Sequence, residues 1–390
     1  MRRVVVTGMG AVSPLGNTLR ETWEAALAGR SGIGALSRCD PGRGPWRAAG
    51  ELKGFDAAGF LPPKDRRRLD PFIQYAYAAA AMAVEDAGLG GALREDASVL
   101  IGSGRGGIST LSASAGRRPS AYLMLGTTVS MAASYVAGRL GLKGHVLGIS
   151  NACASGGAAL GEAVRLVRSG AAGMALAGGA EAPLCTLCIG GYGALGALSR
   201  EGVSRPFDRG RDGFVLGEGA GVLVLEEYEA AVRRGARPYA EIAGCGNAAD
   251  AFHPTVPRSD GQIRAMRAAL AEAGLSPGDV GCIYAHATST PAGDSTEAES
   301  IGRLFGPGAR VTAAKSMTGH MLGASGAVEA ALAAMSLREG LLPGILNLGD
   351  PEGSLDYVRE TVRTEAGAAL ANSFGFGWLI TFLVLRKVGQ

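Results

Sequence analysis

The chain has no run of apolar residues fit to cross a membrane: its most apolar region, 171–198, is mostly Gly and Ala and is interrupted by Glu181 and Pro183. Nor does one sign of charge dominate. The 38 basic residues face 35 acidic ones, a net charge of +3, so the overall balance calls for neither nucleic acid nor an anionic membrane, and any charged partner must be met by a local patch. Cysteines are few. The six (Cys39, Cys153, Cys185, Cys188, Cys245 and Cys282) lack the density of a secreted disulfide scaffold, so reduced thiols are expected. Cys185 and Cys188 form a C-x-x-C, but no second pair or flanking histidine completes a four-ligand zinc site. Charged residues make up only 19% against 47% apolar, which excludes disorder as the main state. The residue in excess is glycine, 63 of 390, roughly twice the usual share. That excess points to tight turns and close backbone approaches. The basic tip Met1-Arg2-Arg3 precedes VVVTGMGAVSP, whose short apolar run reads as a buried strand rather than a signal peptide, so a cytoplasmic protein is expected.

The length allows two or three domains, or one large α/β body. Short β-branched runs (RRVVVTG, ASVLIGSG, HVLGIS) alternate with Ala-rich helical stretches. The first of these covers Ala78 to Asp86, and a long one is expected between ASVLIGSG and HVLGIS. The second half repeats this grammar, with strand-like PYAEIAG, CIYAHAT, RVTAAK, AALANSF and ITFLVLRK and helices over Gln262 to Ala273 and Ala324 to Arg338. Such alternation implies helices layered on a buried, mostly parallel sheet. CASGGAALGEAVRLVRSG from Cys153 also aligns without gaps on GASGAVEAALAAMSLREG from Gly323, which suggests a duplication. No low-complexity linker intervenes, so one compact body is expected, with halves 1–235 and 236–390 related by a pseudo-twofold axis.

Gly102-Ser103-Gly104-Arg105-Gly106-Gly107 satisfies G-x-G-x-x-G after a strand, but no Asp or Glu occurs between Asp96 and Glu162 to hold a ribose, so NAD binding is rejected. Cys153 is the sharper signal. It follows the strand HVLGIS and opens a helix, where unpaired N–H groups favour thiolate and its own N–H can face an oxyanion. Its position alone equally suits a small residue packed in a turn. Of only four histidines, His253, His286 and His320 lie in Gly-, Pro- or Thr-rich loops at strand ends, where α/β folds assemble chemistry. Lys315 lies five residues before His320 and could hold charge near it.

Taken together, NACASG, RPFDRGRDGFVLGEGAGVLVLE, HATSTPAGD, KSMTGHMLGASGAVEA and NSFGFG, within a match running from Val4 to Arg386, resemble the β-ketoacyl-acyl-carrier-protein synthases. The resemblance implies a duplicated thiolase-like α/β fold, layered α-β-α-β-α with two mixed, mostly parallel sheets. It implies an acyltransferase that loads an acyl group on Cys153 and condenses it with a decarboxylated malonyl unit, in fatty acid or polyketide synthesis. His286, His320 and Lys315 match the family's catalytic positions, and Phe376 its gating phenylalanine, whose N–H joins that of Cys153 in the oxyanion hole. Asp294, Glu297 and Glu329 match bracing charges. Thr288, Thr290 and Phe374 match the tunnel for the phosphopantetheine arm. No metal or redox cofactor is implied, since phosphopantetheine arrives on the carrier protein. The implied partners are acyl- and malonyl-loaded carrier protein and a second subunit, as a homodimer or a heterodimer with a related chain. The basic residues Lys64, Arg67, Arg68, Arg117 and Arg118 match positions where related synthases dock the acidic carrier.

The chain departs from the family pattern in places. Trp378-Leu379-Ile380 stands where Gly-Thr-Asn usually follows NSFGFG, and the tryptophan is expected to restrict the gate and fill tunnel space. Arg105 replaces an apolar residue that limits acyl depth and is expected either to reach solvent or to meet a polar acyl end, favouring short or polar acyl groups. Asn151 and Ala287 replace a threonine and a glycine. Two rivals differ in discriminating features. A thiolase needs a second reactive cysteine, and none follows Cys282. A noncatalytic chain-length-factor-like partner commonly lacks the nucleophile that this chain keeps.

Overall fold

A computed structural model describes residues 2–42, 44–252, 257–377 and 379–389, so His253 and Trp378 lie outside the described residues. Among the described residues eleven strands build one continuous sheet: β1 (Val4–Val12), β2 (Ser98–Gly102), β3 (Val146–Ile149), β4 (Met174–Glu181), β5 (Gly219–Glu227), β6 (Ala240–Ala249), β7 (Val280–Tyr284), β8 (Arg310–Thr312), β9 (Asp356–Tyr357), β10 (Ala368–Gly375) and β11 (Leu379–Arg386). Their order is β9-β8-β7-β10-β11-β6-β1-β5-β4-β2-β3. At its centre β1 and β6 are joined only through Val5↔Glu241 and Val6↔Ala240, so two half-sheets meet at a narrow seam.

The half-sheets repeat one plan. Outward from the seam, β1-β5-β4 and β6-β11-β10 are antiparallel, and then β4-β2-β3 and β10-β7-β8 are parallel. The helices repeat too: α1 (Pro71–Asp86), α2 (Ser155–Ser169), α3 (Thr186–Ala194), α4 (Ser259–Ala273), α5 (Pro291–Phe305), α6 (Lys315–Thr318) and α7 (Ser325–Glu339). The aligned segments of the sequence are α2 and α7, which end alike at the left-handed glycines Gly170 and Gly340.

Side-chain alternation decides the layering. Leu223 and Leu225 of β5, with Leu383 and Leu385 of β11, face the α2/α7 pair in a shared core. Val222 and Val224 turn instead to α1, and Phe382 and Val384 to α4. The result is five layers, α-β-α-β-α. Both middle helices must approach closely, and glycine permits it: a Cβ on Gly156 would lie 2.5 Å from the Gly323 carbonyl oxygen, and one on Gly326 3.1 Å from Gly157 N.

The long helix expected between β2 and β3 is instead three short ones, 108–114, 123–127 and 131–140. Gly116 at φ +72° and Pro119 interrupt it. Strand β4, MALAGGAE, carries so much Gly and Ala that its sequence shows no strand pattern, yet every residue from Met174 to Glu181 is buried.

Candidate active site

Cys153 sits in the turn between β3 and α2, two residues before the helix begins. The turn is tight: Ala152 adopts φ +48° and the N–H of Ala154 donates to the Asn151 carbonyl at 3.0 Å. Such left-handed non-glycine backbone is costly and needs support from its surroundings. Part of that support comes from the other half of the molecule, where Gly375 lies so close that a Cβ there would be 2.7 Å from the Asn151 carbonyl oxygen.

His286 follows β7, and His320 follows α6. Both line one cavity of about 340 Å³ with Cys153, Phe214, Thr288, Thr290, Phe374 and Phe376. The imidazoles meet edge to face, with ring centroids 5.3 Å apart. Phe374 packs on His286 at 5.2 Å and Phe214 on His320 at 5.2 Å. The seating of His286 is electrostatic: Glu297 on α5 accepts the N–H of His286 at 2.8 Å and of Ala287 at 2.7 Å, and Asn372 Nδ2 at 2.7 Å. Ala287 itself has φ +28°, a conformation glycine adopts freely and alanine does not. His320 is held by its N–H to Val215 O at 2.7 Å.

Ser325 Oγ accepts the Met321 N–H at 3.0 Å and lies 3.3 Å from His320 Nδ1. Lys315 and Glu329 form a buried ion pair at 2.7 Å. Burial, then the Lys315 charge, holds both imidazoles well below their ordinary pKa, with His320 adding to the effect on His286. Both are neutral hydrogen-bond donors rather than cations. Glu329 is pushed up to about 7 by burial, against the pull of Lys315.

Burial also pushes the Cys153 thiol up to about 12, and the Glu181 carboxyl adds to this, while Arg105 and Lys315 oppose it. The thiolate expected from the helix terminus is thus overruled by desolvation. Glu181 itself was seen in the sequence only as an interruption of an apolar run. It is fully buried and gathers Ser103 Oγ at 2.7 Å, Gly104 N at 2.7 Å, Arg105 N at 2.9 Å and Gly323 N at 2.9 Å. It ties the glycine loop of one half to the start of α7 in the other. An acid inside a Gly/Ala strand was the available signal.

Asp294 is buried and accepts the N–H groups of Phe207 at 2.9 Å and Ser289 at 3.1 Å. The hydroxyls of Thr288 and Thr290 lie 3.1 Å apart. Arg105 does not line the cavity. It is exposed, and its Nε donates to the Tyr192 hydroxyl at 2.8 Å, while Tyr192 packs on Phe214. Lys64, Arg67, Arg117 and Arg118 are exposed. Arg68 lies over the Tyr122 ring at 3.9 Å, and the N–H of Thr110 donates to Asp70 at 2.8 Å, so the two basic segments share one region of surface. Among the described residues no group of three or more His, Cys, Asp or Glu is placed to hold a metal ion.

A cysteine at a strand-to-helix turn, facing two neutral imidazoles from the opposite half of a duplicated α/β body, is the arrangement of a condensing acyltransferase. Models of the beta-ketoacyl synthase N-terminal domain and C-terminal domain match residues 1–231 and 239–349, and the chain belongs to this family. It is 43% identical over 413 residues to 3-oxoacyl-[acyl-carrier-protein] synthase 2 of Vibrio harveyi, across 100% of this chain and 99% of that one. Among solved structures, the ishigamide ketosynthase/chain length factor superposes with a TM-score of 0.94 at 34% identity, covering 100% of both chains. A type II polyketide ketosynthase in complex with its acyl-carrier protein superposes with a TM-score of 0.89 at 32% identity, covering 99% of this chain and 100% of that one.

Proposed function

We propose that this β-ketoacyl-acyl-carrier-protein synthase works through Cys153, His286 and His320, whose convergence on one cavity is the observation that carries the reading. The Cys153 sulfur attacks the carrier thioester. A carbon–sulfur bond to Cys153 forms, the carrier's bond breaks, and the thiol proton leaves with the carrier sulfur. The malonyl thioester then loses CO2, and the electron pair of the broken carbon–carbon bond becomes an enolate. The two neutral imidazoles donate to that enolate oxygen as charge develops. The enolate carbon attacks the acyl-cysteine carbonyl, whose oxyanion meets the N–H groups of Cys153 and Phe376. The sulfur is expelled and takes up a proton, releasing the β-ketoacyl carrier.

Lys315, held by Glu329, keeps the imidazoles neutral, Glu297 and Asp294 hold the loop that carries His286, Thr288 and Thr290 line the entry for the phosphopantetheine arm, and no bound cofactor takes part. The basic surface of Lys64, Arg67, Arg68, Arg117 and Arg118 receives an acidic carrier protein. The edge strand β3 leaves Val146 and Leu147 38% and 44% exposed, a free edge suited to a second subunit, and the reading places the enzyme in the cytoplasm. Arg105 stands outside the cavity but is hydrogen-bonded to Tyr192, which packs on the lining residue Phe214, and through that contact favours short or polar acyl groups.

Mass spectrometry after incubation with acyl-carrier protein tests the assignment. Acyl mass should appear on Cys153 and vanish in C153A. H286A and H320A should still acylate yet lose condensation by about 100-fold or more, the scale of a lost oxyanion donor. Full condensation by either histidine variant would remove the enolate assignment.

A further inference from the structure

We infer that Gln262, a residue no motif marks, is a binding residue for an amide N–H of the pantetheine arm. The inference rests on the carrier-thioester reading above. Gln262 lies in the first turns of α4, is 1% exposed and lines the same cavity as Cys153 and the two histidines. Among the described residues its Oε1 has no hydrogen-bond partner. It does not serve the helix it stands on, whose N-terminus carries no side-chain cap. The helix start is itself fixed: a Cβ on Gly261 would lie 3.0 Å from Asp250 Oδ1 and 3.2 Å from Ile380 Cδ1. The cavity lining near it is Pro257, Leu379 and Ile380 together with Asp250, whose Oδ2 already accepts the Arg258 N–H at 2.8 Å.

A buried amide oxygen left without a donor is destabilising and persists where something outside the protein satisfies it. The chemistry of the reaction narrows that something. Thioester carbonyls, the malonyl carboxylate and the β-keto oxygen are all acceptors. None can satisfy an acceptor. The amide N–H groups of the pantetheine arm can, and they pass through this cavity whenever a thioester reaches Cys153. Gln262 is therefore a positioning residue for the arm, adding a contact beyond the Thr288/Thr290 wall.

The test compares wild type, Q262L and Q262M on acyl-pantetheine and on the ethanethiol ester of the same acid, which has no amide. With acyl-pantetheine the variants should raise KM about tenfold and leave kcat within twofold, while the ethanethiol ester should react as in wild type. Calorimetric titration with free pantetheine, which involves no chemistry, should show binding weakened at least fivefold. Melting temperature should be unchanged or higher, because the variants remove an unsatisfied buried amide. An unchanged pantetheine affinity, an equal loss on the amide-free ester, or a clear fall in melting temperature in both variants would each overturn the assignment. Failure of wild type to acylate Cys153 from any thioester would instead overturn the reaction, while the titration still judged Gln262.

Discussion

Cys153 shows how far a single residue's surroundings can override its position. The helix terminus and the charges of Lys315 and Arg105 favour thiolate, but burial and Glu181 win and the thiol is pushed up to about 12. Two consequences of opposite sign in pH follow. Folding favours the neutral thiol, so its contribution to stability is full below the ordinary thiol pKa and is lost as pH climbs through about 12. Reactivity runs the other way. Iodoacetamide alkylation of Cys153, read as peptide mass against a C153A control, should rise about tenfold per pH unit between pH 7 and 10, following the thiolate fraction. A plateau below pH 8 would mean an activated thiolate in the resting enzyme. The imidazoles were legible as candidates because there are so few of them and they lie in Gly- and Thr-rich loops, although His320 follows the short helix α6 rather than a strand. Their neutrality was not legible, because it depends on burial and on the charge of Lys315, which Glu329 holds from 14 residues along the chain.

Elements were legible where period or composition spoke, and silent where contact alone decided. The β-branched runs of β1, β2, β7 and β11 announced themselves. MALAGGAE did not, because Gly178 and Gly179 suit this strand for what approaches it: Cβ atoms there would lie 1.9 Å from the Gly221 oxygen and 2.2 Å from the Gly323 oxygen. The α2/α7 alignment was visible, but the reason for its glycines appears only when the helices meet. This gives a paired prediction. G156A places a methyl group against backbone and should destabilise by about 1–3 kcal/mol or more. G138A, in the helix spanning 131–140, meets nothing within 4 Å and should be neutral or stabilise by up to about 1 kcal/mol, the helix preference of alanine over glycine. Urea midpoints of the two variants measure both signs, and equal destabilisation would refute the packing argument.

At the scale of the whole molecule, a net charge of +3 makes the chain nearly neutral, and long-range attraction then depends on arrangement. Lys64, Arg67, Arg117 and Arg118 are all exposed, and the Arg68–Tyr122 contact at 3.9 Å bridges the two segments that carry them. Exposed charges of one sign held on a common surface steer an acidic protein during approach, and salt screens them within about 10 Å at 0.1 M. A small thioester feels little of that field. K64E combined with R67E should therefore raise KM for acyl-carrier protein about tenfold or more at low salt, with the gap narrowing as salt is added. The same variant should acylate Cys153 from acyl-pantetheine at the wild-type rate, since the cavity residues are untouched. If both substrates suffered equally, the substitutions would be acting through the fold and the docking surface would lie elsewhere. If carrier kinetics were unmoved at every ionic strength, the basic segments would be only a solvated face.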